Sequence, residues 1–149
     1  MNTKDTISVL NDLIETSKDG EKGFTKCAND LQTTDLKSIM VTRSQDCTAA
    51  TAELQELVRS LGGEPENDTS LSGDLHRRWV GLKEFVTGKD DTAILSECER
   101  GEDVAKKNYR EALDKDLPTN IRAIVEKQYQ GVLRNHDQVK ALRNAARAN

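Results

Sequence analysis

The sequence predicts an all-α fold: an antiparallel four-helix bundle with a long, helix-bearing crossover between helices 2 and 3. Three observations predict it. Four helix-length amphipathic segments follow one another, joined short–long–short. The 149 residues hold only 3% aromatics and 2 Pro, a mixture that suits helices packed through aliphatic stripes. Finally, short loops make helices 1–2 and 3–4 antiparallel pairs, whereas about thirty residues separate helix 2 from helix 3, enough to return along the whole bundle.

Helix 1 is predicted from about Thr3 to Leu31, with Thr3 as its N-cap and Ile7, Leu10, Ile14, Ser17, Phe24, Ala28 and Leu31 recurring at helical spacing. Gln32 to Asp35 break it. Helix 2 carries Leu36, Ile39, Met40, Cys47, Ala50, Leu54, Leu57, Val58 and Leu61 on one face. Gly62-Gly63 then provides a left-handed stop and Pro65 prevents resumption. A shorter segment, about Gly73 to Val86, places Leu75, Trp79, Leu82 and Phe85 on one side and lies on the crossover. Helix 3 follows an Asp cap and carries Ile94, Leu95, Cys98, Ala105, Tyr109, Ala112 and Leu113. Helix 4 opens at Pro118, a favoured first-turn residue, and shows Ile121, Ile124, Val125, Val132, Val139 and Leu142.

Residues 1–149 are expected to form one domain around one core. A net charge of -4 and a pI near 5.3 argue against nucleic acid as a partner, because such binding rests on phosphate neutralisation. No run approaches the roughly 20 apolar residues needed to span a bilayer, so no membrane partner is expected. The first residues, MNTKDTISVL, lack a basic stretch followed by an apolar one, which points to cytoplasmic residence. Cys27, Cys47 and Cys98 are odd in number, fall on separate helices and form no CxxC; the expectation is reduced thiols.

The chain contains no Glu-x-x-His, the motif with which ferritin-like bundles hold two irons, although one long crossover is the ferritin-like arrangement. Asp12, Glu15 and Asp19 form a stripe nearly opposite the apolar face of helix 1, with Lys22 continuing it; a solvated surface is expected there, and likewise at Glu99 and Asp103. Polar residues on the apolar faces are more telling: Glu21 on helix 1, Arg43 on helix 2, Glu102 on helix 3 and Gln128 on helix 4, with Ser17 beside them. At 1.5 Å per residue, Glu21, Arg43 and Glu102 lie about 19, 14 and 15 Å from the helix 1–2 turn, and Gln128 somewhat lower. These four are the candidates for a mid-bundle polar layer. Buried carboxylates require a cation, and two readings of Arg43 stay open: it replaces metal in an ion-pair network with Glu21 and Glu102, or it snorkels to solvent.

His136 sits at the edge of the helix 4 face, but residue 133 is Leu; His76 lies on the crossover beside Arg77 and Arg78. Both histidines read as structural. Cys47 and Cys98 fall on apolar faces, where a thiol keeps a high pKa. Lys140, Arg143 and Arg147 complement the negative end of the helix 4 dipole. No catalytic residue, metal ligand or cofactor is assigned from these patterns.

The segments LNDLIETSKDGEKGF (10–24), ELQELVRSLGGEP (53–65) and ERGEDVAKKNYREAL (99–113), with the closing helix from Glu126 to Leu142, resemble a bacterial family of ferritin-like four-helix-bundle proteins of unknown function. The resemblance spans nearly the whole chain and implies a ferritin-like fold and cytoplasmic residence, but no substrate. Counting back from Gly62-Gly63, the Glu-x-x-His slot of ferritins and rubrerythrins falls near Cys47 and Ala50, while Glu21, Glu102 and Gln128 resemble the ligand positions on the other helices. The expectation is a non-enzymatic bundle without an intact di-iron site, acting in a stress response or through an unidentified protein partner, and self-associating as a dimer. The alternative is a metal-binding bundle with an atypical or degraded mid-bundle site.

Overall fold

The computed structural model describes residues 1–66 and 90–148. They form four helices: α1 (Thr3–Asp30), α2 (Thr34–Ser60), α3 (Asp91–Leu113) and α4 (Thr119–Ala148). The crossover segment with Leu75, His76, Trp79, Leu82 and Phe85 lies outside the described residues.

Local chemistry sets the helix ends. Asn2, not Thr3, caps α1: its side-chain oxygen accepts the Asp5 N–H at 2.8 Å, one of the donors a helix start leaves unpaired. At the end of α2, Gly62 adopts φ +82°, and the N–H groups of Gly62 and Gly63 return to the carbonyls of Arg59 and Val58. Asp90 caps α3 by accepting from Ala93 N–H at 2.9 Å. After α3, the Arg122 guanidinium donates to the Leu113 and Lys115 carbonyls, which ties the first turn of α4 to the end of α3.

The topology follows from one carboxylate. Asp91, the first residue of α3, accepts from the N–H groups of Gln32 (2.7 Å) and Thr33 (3.1 Å) and from the Thr33 hydroxyl (2.5 Å), all in the α1–α2 turn. The other end of α2 is at the opposite pole, where Gly63 packs on Ile7 near the start of α1. A helix of 27 residues is about 40 Å long. The chain between α2 and α3 therefore returns the length of the bundle, and α3 runs antiparallel to α1 and parallel to α2. This is the ferritin-like four-helix bundle.

The core is not one continuous apolar column. One cluster, around Leu10, Leu13, Ile14, Leu54, Val58, Ile121 and Val125, fills the end near the start of α1. A second, around Phe24, Leu31, Met40, Ile94, Leu95 and Val139, fills the end near the α1–α2 turn. Buried polar side chains separate the two.

Three further expectations need correction. Glu15 and Asp19 are 7% and 5% exposed, so the acidic stripe of α1 is not a solvated face, although Asp12 and Lys22 are exposed. The chain leaving α2 runs onto this side: Asn11 bonds the backbone of Glu64 and Glu66, and Lys18 donates to the Glu66 carbonyl at 3.0 Å. Helical periodicity within α1 carries no information about such a returning segment. Likewise, Cys27 and Cys98 are not free thiols. They are joined as a disulfide with Cα atoms 6.9 Å apart, because α3 starts beside the end of α1 and the two positions face each other. Glu99 is half-buried rather than open to solvent, since Arg143 reaches it from α4.

Candidate functional site at mid-bundle

The polar residues between the two apolar clusters lie on two rungs. On the first, Arg43 of α2 reaches the diagonally opposite helix, and its Nε and Nη2 both donate to Glu102 Oε1, at 3.3 and 3.1 Å. Arg43 is 4% exposed and Glu102 1%. The guanidinium carbon also lies 5.0 Å from the centre of the Phe24 ring, a cation–π contact within the buried core. Nη1 donates to Asp46 at 2.9 Å, one helical turn on and half-exposed, which leads the charge toward solvent. Burial pushes the Glu102 carboxyl up to about 7, against the pull of the Arg43 charge and hydrogen bonds and of His136.

The second rung is built on Tyr109. Its hydroxyl donates to Gln128 Oε1 at 2.7 Å and lies 3.3 Å from Ser17 Oγ. The Gln128 amide in turn donates to Glu53 at 2.8 Å and to the Ala50 carbonyl at 3.4 Å. A buried tyrosine oxygen needs a partner, and here it has two. Burial raises the Tyr109 pKa further above its ordinary value, so the phenol stays neutral.

At the level of the rungs lies a cavity of about 520 Å3 lined from all four helices, among others by Arg43, Cys47, Glu53, Glu102, Tyr109 and Gln128. Gly20 forms part of its floor, and a Cβ there would come within 2.9 Å of Cys47 Sγ, so α1 and α2 approach closely at this level. Burial pushes the Cys47 thiol up to about 12, despite the nearby Arg43 charge, while Glu102, Asp46 and Glu21 add to the rise.

The four candidate residues are thus distributed unequally. Arg43 and Glu102 are brought together directly. Gln128 lies on the tyrosine rung. Glu21 is half-buried, and its backbone carbonyl, rather than its carboxylate, accepts from Thr25 and Ser44. Among the described residues Arg43 takes its carboxylates from Glu102 and Asp46.

Sequence reasoning passed over a further cluster. On α3, Glu99 and Asp103 are one turn apart; His136 of α4 faces them, with Nε2 2.5 Å from Asp103 Oδ1. The acids fall off the α3 apolar face, so periodicity consigned them to solvent. Only the packing of α4 shows that they face a helix. The basic residues of α4 are also used across this seam: Arg143 pairs with Glu99, and Arg147 donates to Ser96 Oγ at 3.4 Å.

Among the described residues, no helix is long and apolar enough to cross a membrane. No curated protein sequence matches the chain. Solved structures share the fold at low identity. A two-domain protein of Anabaena variabilis with DJ-1/ThiJ/PfpI-like and ferritin-like domains superposes with a TM-score of 0.79 at 9% identity. The match covers 99% of this chain and 38% of that one, so the chain spans well under half of that relative. The dodecameric thioferritin of Bacteroides fragilis, a bacterioferritin-related protein, gives 0.77 at 14%, covering 99% and 90%. The Vibrio cholerae DPS protein, described as a ferritin-like diiron-carboxylate protein, gives 0.73 at 15%, covering 94% and 89%. The model of a domain of unknown function, DUF2383, matches residues 5–115, and with its ferritin-like fold this chain belongs to that family.

Proposed function

We propose that this protein is a ferritin-like bundle in which a buried ion pair stands where relatives on the fold hold paired metal ions, and that it works through its surfaces rather than by catalysis. The observation that carries this reading is the Arg43–Glu102 pair. A di-iron layer needs inward carboxylates and imidazoles from all four helices to neutralise two cations. Here α2 supplies a guanidinium, which is always charged and has no acceptor. Ser17, Gly20 and Cys47 occupy the neighbouring positions. That donor set does not fit two irons.

The reading includes cytoplasmic residence and self-association, the latter supported by the dodecameric assembly of the Bacteroides fragilis protein. A role in a stress response, through a protein partner, completes it. The direct test is anaerobic loading with iron, manganese or zinc followed by metal counting. Retention of two ions per chain, abolished by Glu102→Ala, would overturn the proposal. Sedimentation at micromolar concentration tests assembly, where a strict monomer contradicts the self-association. The dimer expected from sequence is one of the states it distinguishes.

A further inference from the structure

We infer that Glu99, Asp103 and His136 form a site for a single divalent transition-metal ion in the seam between α3 and α4, outside the mid-bundle ion pair. Their ligand atoms all lie within 4.8 Å of one another. Glu99 and Asp103 are separated by one helical turn, so both carboxylates project from the same side of α3. The imidazole enters from α4, which leaves the site dependent on two helices instead of four.

Two features beyond the clustering make this a ligand site. His136 is 8% exposed, so its ring is held by packing, and its Nε2 is aimed at the carboxylates. Its other nitrogen, Nδ1, lies 3.7 Å from Asp137 Oδ1. That is beyond a direct hydrogen bond, so the exposed Asp137 carboxylate adds attraction there without fixing the ring. Asp103 is half-exposed, which gives the ion a path from water.

The donors select the ion. One imidazole with two carboxylates suits zinc, ferrous iron or manganese, whereas magnesium and calcium prefer oxygen alone. Three protein ligands leave at least one position for water. Two atoms bound to one such ion sit about 3 Å apart or more. The His136–Asp103 pair at 2.5 Å must therefore open slightly, with the Nε2 lone pair turned to the ion and the ring proton carried on Nδ1.

Arg143 is the competitor. Its Nη1 holds Glu99 and neutralises it, while its Nε, among the described residues, has no hydrogen-bond partner. Only Asn144, itself exposed, receives its remaining bond at 3.2 Å. An arriving cation displaces this guanidinium from Glu99, so removing Arg143 should strengthen binding.

Equilibrium dialysis of the full chain against Zn2+, with Mg2+ in parallel, tests the site. The expected result is one Zn2+ per chain and no retained Mg2+. Asp103→Asn and Glu99→Gln, which keep the side-chain shape and remove the charge, should each weaken Zn2+ by at least about tenfold. Arg143→Met should tighten it several-fold. Thermal melts should show added Zn2+ raising the Tm of the parent and of Arg143→Met but not of Asp103→Asn. Failure to retain Zn2+, or retention undiminished in Asp103→Asn and Glu99→Gln, overturns the inference. Retention abolished by Cys47→Ser, with those two variants unaffected, overturns it equally. Two ions lost on Glu102→Ala would instead overturn the proposed function, so the two failures are distinguishable.

Discussion

Arg43 and Glu102 meet across the diagonal of the bundle, guanidinium Nη2 to carboxylate Oε1 at 3.1 Å, with both side chains sealed between two apolar clusters. Each is the other's answer to burial. An isolated ion of this size loses several kcal/mol on leaving water, and the pair recovers that only through close, hydrogen-bonded geometry. Arg43→Met keeps much of the volume and removes the charge. The expected loss is about 3 kcal/mol, at the lower end for a broken buried pair because Glu102 can take up a proton. Denaturant melts check it, and a loss below about 1 kcal/mol would mean that Arg43 behaves as an exposed residue.

Cys47 should be chemically quiet. With its thiol pushed up to about 12 by burial, almost no thiolate exists at pH 8, and thiolate is the reactive form. Because the folded value lies above that of the unfolded chain, this thiol leaves stability unchanged below about 9 and lowers it as pH climbs from there toward 12, where only the unfolded chain can ionise. Native protein at pH 8 should react with iodoacetamide far more slowly than denatured protein. Mass spectrometry should find one alkylated cysteine after denaturation without reductant and three after reduction, since Cys27 and Cys98 are joined. Three without reductant would mean that the pair is open under the conditions of preparation, as a reducing cytoplasm would favour.

Asp91 anchors α3 to the α1–α2 turn. Its limited burial pushes its carboxyl up, but the bonds from Gln32 and Thr33, with help from Lys37, outweigh this and hold it below the usual carboxylate range. A lowered folded value means that the stabilisation is complete above the ordinary value near 3.8 and is lost as pH falls through the folded one. Asp91→Ala should cost about 1 kcal/mol at pH 7, a figure reduced for solvent screening. The deficit relative to the parent should shrink in melts below about pH 3.5. A pH-independent deficit would mean that the charge of Asp91 contributes nothing.

Tyr109→Phe removes the hydroxyl shared by Ser17 and Gln128 while keeping the ring. Leaving two polar groups without that partner should cost about 1–2 kcal/mol. The cavity beside them admits water as a substitute, which sets the upper limit. Chemical denaturation of the variant measures the loss, and a stabilised variant would rule out a structural role for the rung.

Local patterning was enough for the helices. Apolar residues at 3.6-residue spacing, the Asp before helix 3 and Gly62 after helix 2 are properties of contiguous sequence, and the structure uses each as such, while Pro118, expected in the first turn of helix 4, lies one residue before it. The long crossover was legible for the same reason: helix directions follow from connection lengths. Arg43 and Glu102 stood out because a charge on an apolar face is an anomaly that a helical wheel detects. What that charge meets is a different matter. Arg43 has Asp46 and Glu102 as partners and not Glu21, since one residue of rotation about a helix axis, invisible to a pattern, moves a side chain by 100°.

Only the packed bundle decided the rest. The Cys27–Cys98 bond depends on which two helix faces meet and at what height, over a separation of 71 residues. Glu15 and Asp19 are buried on a face that periodicity assigns to water, beside Asn11 and Lys18, which bond the chain leaving α2. The Glu99–Asp103–His136 seam exists because α4 lies along α3 at one register. The sequence by itself determined the segments, their directions and the presence of charge at mid-height, which rest on local spacing and on the lengths of the connections. Tertiary structure decided which charges pair, which thiols join and where two carboxylates and an imidazole converge, because those depend on distances between segments that the linear order leaves free.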